Sequence, residues 1–565
     1  MIEQVINFSI RYRWLVLLAA FGVAGLGAYE FQHLPIDAVP DITNVQVQIN
    51  TAAYGLSAPE IEQQITYPIE TAMAGLPSLE STRSLSYYGL SQVTVVFKEG
   101  TDIYLARQLI AERLREAQDE LPDHARPELS PIATGLGEIY LWTVDAKPEA
   151  RKSDGSSYTL TDLREIQDWF IKPRLKNVPG VVEVNSIGGF EKQYHVTPYP
   201  DRLVAFRLTF RDLVEALEKN NGNIGAGYIE KNGEQYLIRS PGQVRTLSDI
   251  RGIVVATRDS QAIRIADVAD VSEASELRTG AATRNGDEAV LGTTFMLIGE
   301  NSRAVASRVS QRIKEVNQTL PPGVAATTVY DRTNLVDATI ETVRQNLFEG
   351  AMLVVVVLLA LLGNVRAALI VAAVIPLSML FTITGMVQSK ISANLMSLGA
   401  IDFGIIIDGA VIIVENCVRH LSEEQQRLGR LLNRPERLDT VLRAAKEVIT
   451  PSIFGSLIIL VVYLPILSLS GVEGKMFIPM ARTVLFALLG AMLLSLSFVP
   501  ASVAIFLRGR MQEKESILMR WAKKIYLPLL NFSLKYRAGI IVTAASLVGL
   551  CAVLGTRMGA EFVCD

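Results

Sequence analysis

The stretch Asn394-Leu-Met-Ser-Leu-Gly-Ala-Ile-Asp402-Phe403-Gly404-Ile-Ile-Ile-Asp408-Gly409-Ala-Val-Ile-Ile-Val-Glu415-Asn416 sets three carboxylates in an otherwise apolar run. A charged side chain at the centre of a membrane helix costs at least about 2.5 kcal/mol on insertion scales, so three in one span call for a chemical reason. At about 100° per residue, Asp408 and Glu415 fall within roughly 20° of one face and about 10 Å apart along the axis. Asp402 lies about 120° round from Asp408 and joins that face only where the helix is locally unwound or the bundle surrounds it. Gly404 and Gly409 fit a close helix contact or a bend. Carboxylates in a low-dielectric site take up and release protons as their surroundings change, which is the chemistry of a proton-driven device. The plainer reading, interhelical hydrogen bonds with no proton traffic, suits one acid better than three. Glu415, nearest the basic end of the span, is the best fit to a simple interfacial anchor.

The rest of the chain decides whether this run crosses a membrane. Its 565 residues are 49% hydrophobic, with a mean hydropathy of +0.28, which is long for one compact domain and apolar for a soluble one. Apolar runs of the length needed to cross hydrocarbon occur at Trp14–Phe31, Leu347–Leu362, Ala367–Val387, Ala393–Val418, Ile449–Leu469, Val484–Leu507 and Ile540–Leu554. The basic residues Arg11, Arg13, Arg366, Arg419, Arg427, Arg430, Arg434, Arg437, Arg443 and Lys446 flank these runs. A second group, Arg508, Arg510, Lys514, Arg520, Lys523, Lys524, Lys535 and Arg537, follows the sixth. Placing all of them in the cytoplasm gives a strict in-out alternation and puts 33–337 on the far side. The first run could serve as a signal peptide. Against that, Asn7-Phe8-Ser9-Ile10-Arg11-Tyr12-Arg13 recurs as Asn531-Phe532-Ser533-Leu534-Lys535-Tyr536-Arg537, each leading into an apolar run, as two copies of one unit would.

A formal charge of −4 leaves no basic excess to hold a phosphate backbone, so nucleic acid is not an expected partner. Cys417, Cys551 and Cys564 give no disulfide framework, and His33, His124, His195 and His420 are scattered rather than set at metal-ligand spacing. No nucleophile-base pair or phosphate loop points to an enzyme, and no cofactor is expected. Between the first two apolar runs the pattern is mixed α and β. Val45–Thr51 and Leu85–Phe97 are strand-like, and Ala58–Ala74, opened by Ser57, and Asp102–Leu121 are helical, in the order of a split βαβ unit. A second unit starts at Glu138–Asp145 and resumes at Ala289–Leu297 with the helix Arg303–Leu320. Turn signals at Asn221-Gly222, Asn232-Gly233 and Pro241-Gly242 mark an inserted β-rich domain.

The string Asp402-Phe403-Gly404-x-x-x-Asp408-Gly409-x-x-x-x-x-Glu415-Asn416 closely resembles the fourth-helix signature of the heavy-metal efflux branch of the resistance-nodulation-division transporters. Pro35-Ile36-Asp37-Ala38-Val39-Pro40-Asp41, Gly363-Asn364-Val365-Arg366 and Glu473-Gly474-Lys475-Met476-Phe477-x-Pro479-Met480 are similar to the same branch. The resemblance implies a polytopic α-helical membrane protein with a large α+β periplasmic region, built of ferredoxin-like subdomains and an inserted β-rich docking domain. The expected division is 1–32 for the N-terminal segment and first span, 33–135 for the first porter subdomain, and 136–181 with 271–337 for the second. It continues with 182–270 for the docking domain, 338–507 for spans two to six, 508–537 for a cytoplasmic or interfacial segment and 538–565 for the seventh span. It further implies a proton antiporter of a Gram-negative inner membrane, with no cofactor beyond the proton gradient. Such a pump forms homotrimers and works with a periplasmic adaptor and an outer-membrane channel. Asp402, Asp408 and Glu415 carry over as proton-translocation residues, with Gly404 and Gly409 in helix packing.

The paired Asp402 and Asp408 look like the subgroup exporting divalent cobalt, zinc, cadmium or nickel. A copper or silver exporter relies on methionines, and Met352, Met379, Met386, Met396, Met476 and Met480 are the candidates here. A multidrug exporter would carry adjacent aspartates, and an accessory protein of secretion would lack the string. Complete family members are about twice as long, and the chain resembles them up to Val563, so the expectation is an N-terminal half, with a non-transporting remnant as the alternative.

Overall fold

A computed structural model describes residues 2–556 except Gln32, His33, Pro35, Ala38, Val39, His124, Pro241, Asp259, Leu277, Thr279, Lys390 and 510–516. The Pro35–Asp41 motif therefore lies partly outside the described residues, as do Cys564, Lys514 and the ending after residue 556. Two units separate: the described residues of 1–42 with 336–565, and Thr43–Leu335.

In the unit Thr43–Leu335, β1 (Val45–Ala52) buries Val47, Ile49 and Thr51 by period-two alternation. It is followed by a helical stretch over 58–73, β2 (Leu79–Tyr87), β3 (Leu90–Phe97), the helix Ile103–Ala117 and β4 (Arg126–Leu129). The stretch 58–73 buries Ile61, Ile65, Ile69 and Met73 at four-residue spacing, a stripe that covers one face of the sheet. Asp102 opens the next helix by accepting the Tyr104 amide at 2.7 Å. The strands lie in the order β2-β3-β1-β4, with each neighbouring pair antiparallel.

The same connectivity recurs. β5 (Glu138–Ala146), helical residues 160–176, β6 (Val181–Ile187), β14 (Asp287–Met296), the helix Ser302–Asn317 and β15 (Val324–Asp331) give the order β6-β14-β5-β15. Its core holds Trp142, whose indole N–H donates to Gln167 Oε1 at 2.9 Å, both fully buried. Gly292 faces Trp142 across the β14–β5 pair, and a Cβ there would stand 2.3 Å from the indole.

Between β6 and β14 sits the inserted part. β7 (Lys192–Pro198) pairs with β12 (Ala269–Ser275), β8 (Ile224–Lys231) with β9 (Glu234–Ser240), and β10 (Val254–Arg258) with β11 (Gln261–Arg264); a short β13 (Ala282–Arg284) pairs with β14. The Asn232-Gly233 turn joins β8 to β9 as a two-residue loop with both φ positive, 55° and 77°. The expected boundaries of 182 and 270 move, because β6 stays with the second sheet through Ile187 and β12 pairs with the insertion's own β7.

The helical unit opens with α1 (Ile2–Arg11) and α2 (Arg13–Phe31) and continues with α3 (Arg332–Leu362), α4 (Val365–Gln388), α5 (Leu395–Gly399), α6 (Phe403–Leu428), α7 (Arg434–Tyr463), α8 (Gly471–Leu496), α9 (Phe498–Phe506), α10 (Ile517–Lys535) and α11 (Arg537–Gly555). Seven stretches among the described residues are long and apolar enough to cross a membrane, which makes this a multi-pass chain. Two expected spans differ. The fourth is interrupted at 400–402, and the sixth starts as a helix at Gly471 rather than Val484 and breaks at Ser497. The core runs through α4, α6, α7 and α9, with Ala367, Val371, Val374, Ile407, Ala410, Val414, Val441, Ala445, Val499 and Val503 buried. The repeat noticed in the sequence is also a repeat of geometry. Tyr12 and Tyr536 each sit between two helices, and the Phe8–Tyr12 and Phe532–Tyr536 rings are both 4.9 Å apart, at 44° and 48°.

Two outcomes follow for the unit Thr43–Leu335. Gly292→Ala forces the Trp142 ring to move and is expected to destabilise the second sheet by about 1–3 kcal/mol, read as a lower unfolding midpoint by tryptophan fluorescence of the whole chain. Backbone amides of Arg245 and Thr246 hold the Asp249 carboxyl below its ordinary range, and the Thr209 amide does so for Asp212. Such depressed groups stabilise above the unfolded-state value and lose that contribution as pH falls through the folded one. Amide protection of Phe210–Lys219 and Leu247–Gly252 should therefore hold from pH 7 to 5 and fall below about pH 4, as hydrogen exchange would show.

Candidate functional site

Two caps, one before α5 and one in the break between α5 and α6, shape this segment. Asn394 Oδ1 accepts the Ser397 amide at 2.8 Å, and the Asn394 amide donates to Ser397 Oγ at 3.0 Å, with both residues buried. One helical turn follows, and then Asp402, with extended backbone at φ −94° and ψ 113°, becomes the N-cap of α6 and accepts the Gly404 amide at 2.8 Å. Asp402 thus lies outside the regular helix, and the 120° offset that an unbroken helix would impose does not apply. Its carboxylate faces a groove of about 510 Å³ shared with α3, lined by Thr342, Asn346, Gly350, Leu398 and Phe403.

Asp408 and Glu415 stand seven residues apart on the exposed side of α6, while Ile406, Ile407, Ala410, Ile413, Val414 and Cys417 fill the buried side. Gly409 is a packing glycine: a Cβ there would meet Ser452 Oγ of α7 at 3.0 Å and Ser495 Oγ of α8 at 3.3 Å. Gly404 is not, which corrects the sequence reading. It is exposed, and the nearest atom to its would-be Cβ is the Asp402 carboxylate at 3.2 Å, so its small size serves the cap. The methionines divide among environments: Met386 is fully buried, Met379 packs on the central core and Met352 is exposed.

One turn beyond Glu415 the structure gathers groups that the sequence did not connect. Asn416 Nδ2 donates to Ala444 O at 2.8 Å and to Glu447 Oε2 at 3.2 Å, and Arg419 Nη2 donates to Asn416 Oδ1 at 2.7 Å. His420 Nε2 lies 2.7 Å from Glu447 Oε2. The four-residue spacing of Asn416 and His420 places them on one face of α6 and was a usable signal. Glu447, on α7, had none. Among the described residues no group of three or more His, Cys, Asp or Glu could hold a metal ion.

The sequence profile of the AcrB/AcrD/AcrF family matches residues 5–565. The chain is 62% identical over 563 residues to the cobalt-zinc-cadmium resistance protein CzcA of Cupriavidus metallidurans, covering all of this chain and 53% of that protein. It is 46% identical over 587 residues to the nickel and cobalt resistance protein CnrA of the same organism, covering all of this chain and 55% of that one. A crystal structure of a heavy metal efflux pump superposes with a TM-score of 0.84 at 35% identity, over 99% of this chain and 53% of that one. The chain spans about half the length of the curated relatives it matches.

Asp402→Ala removes the only side-chain acceptor recorded at the start of α6, among the described residues, and is expected to cost about 1 kcal/mol and fray that end. Asp402→Asn keeps an acceptor and should leave amide exchange of Phe403–Ile406 near wild type; equal fraying in both variants would count against the cap.

Proposed function

Since the chain belongs to the AcrB/AcrD/AcrF family, we propose that it supplies the first half of an inner-membrane pump that exports divalent heavy-metal cations, cobalt, zinc, cadmium or nickel, in exchange for protons. The observation that carries this reading is the set Asp402, Asp408 and Glu415 on an interrupted apolar helix. The cost of carboxylates at that depth favours their use in proton transfer. The names of the similar proteins above support divalent cations, and so do the scattered environments of the methionines.

The interruption suggests how protonation couples to shape. An ionised Asp402 accepts the Gly404 amide and sits at the positive end of the α6 dipole. Adding a proton leaves an acceptor for the Gly404 amide but removes the charge that the α6 dipole favours, which changes how α6 sits beside the groove against α3. Asp408 and Glu415 continue the path along the same helix side, and the contact of Gly409 with α7 and α8 passes a shift of α6 to its neighbours. Arg11, Arg366, Arg427, Arg434 and Arg508 lie at the cytoplasmic ends by the positive-inside rule, which puts Thr43–Leu335 in the Gram-negative periplasm. There the two β-α-β-β-α-β sheets act as ferredoxin-like porter subdomains and the 188–281 insertion as a docking domain. The working assembly is a homotrimer with a periplasmic adaptor and an outer-membrane channel.

The test is growth in divalent metal of a pump-deficient cell that expresses this chain with a separately encoded second half. Wild type should restore resistance, and Asp408→Asn should reduce it to the level of cells without a pump. Asp402→Asn, which keeps the cap, should do the same. Resistance undiminished by both substitutions would exclude these acids from the proton path.

A further inference from the structure

We propose that the groove between α2, α4 and α9 binds an anionic glycerophospholipid, with the headgroup phosphate at Arg366 and Arg508 and an acyl chain lying against the apolar wall. The groove has a volume of about 690 Å³ and is walled by Trp14, Leu17, Phe21, Leu369, Ala373 and Phe498, with the two arginines and, among the described residues, no carboxylate in its lining. That volume lies within the usual range for small-molecule sites. The helices α2 and α4 meet tightly elsewhere, since a Cβ on Gly27 would stand 2.3 Å from Leu380 O, so the open space is confined to their arginine-bearing ends.

Among the described residues, the charge at those ends is set in place by main-chain acceptors and no carboxylate is paired with it. Arg366 Nη1 donates to Arg508 O at 2.5 Å and Arg508 Nε to Ile505 O at 2.7 Å. Nearby, Arg437 Nη2 donates to Ala504 O at 3.4 Å and Arg13 Nη1 to Ile10 O at 3.3 Å. All four acceptors are main-chain carbonyls, and each guanidinium has five N–H donors, so among the described residues most of them remain available to a phosphate.

Ser502 supplies an independent sign of a ligand. It lines the groove at 1% exposure, and its hydroxyl has no hydrogen-bond partner among the described residues. A buried hydroxyl without a partner is costly. Ser502 lies on α9 one turn before its end at Phe506, on the membrane side of Arg508. A zwitterionic lipid carries its own cation beside the phosphate, and a mouth whose described lining holds arginines and no carboxylate disfavours it. An anionic headgroup fits. The site is independent of what the chain transports.

Native mass spectrometry of the detergent-purified full chain, titrated with dioleoylphosphatidylglycerol, dioleoylphosphatidylethanolamine or inorganic phosphate, tests this. Phosphatidylglycerol should bind more tightly than phosphatidylethanolamine, and the double variant Arg366→Gln, Arg508→Gln should weaken it about tenfold. Ala373→Trp fills the groove, keeps both arginines and should weaken it as well, which covers misfolding of the double variant. Arg427→Gln, outside the groove, should change nothing. Equal binding of the two lipids, or phosphatidylglycerol binding that survives Ala373→Trp and is displaced by millimolar phosphate, would overturn the proposal.

Discussion

A backbone group or carboxylate carried into hydrocarbon must find a partner within the protein, because no water is there to provide one. The helical unit meets this constraint where it is hardest, at the interruption between α5 and α6. There Asp402 accepts the Gly404 amide, which a continuous helix would have bonded internally, while Asn394 and Ser397 cap the short helix before it. The same arrangement places a carboxylate at a helix N-terminus, where a negative charge is favoured.

Around that feature the division of α6 into two sides follows from the same physics. The side packed on α4, α7 and α9 is aliphatic, and Gly409 lets α7 and α8 approach to serine contact. The other side carries Asp408 and Glu415. At the far end, Asn416 closes on α7 through a carbonyl and Glu447, and His420 and Arg419 complete a polar network across the two helices. The first and last helix pairs repeat one geometry down to the angle between their tilted rings, so the juxtamembrane segment reads as a structural module with a bend at its tyrosine.

Much of this was legible in the residues. The alternation of Val45–Ala52, the four-residue stripe from Ile61 to Met73 and the Asn232-Gly233 turn each state a local rule that the fold obeys. The break at 400–402 was harder to see, because a run of apolar residues has the same hydropathy whether its helix is continuous or interrupted. Val484–Leu507 failed for the same reason: window averaging hid a helix that begins at Gly471, among polar residues, and stops at Ser497.

The sequence by itself determined the number of apolar spans, the mixed α and β character of the intervening region and the three acids of the fourth span, since composition and period act locally and cost energy wherever the chain goes. Tertiary structure alone decided that Asp402 caps a helix instead of lying within one, that Gly409 packs while Gly404 clears space for a cap, and that Glu447 meets Asn416 and His420. Those outcomes depend on which helices approach within a few ångströms, and residues distant along the chain carry no local pattern that records it.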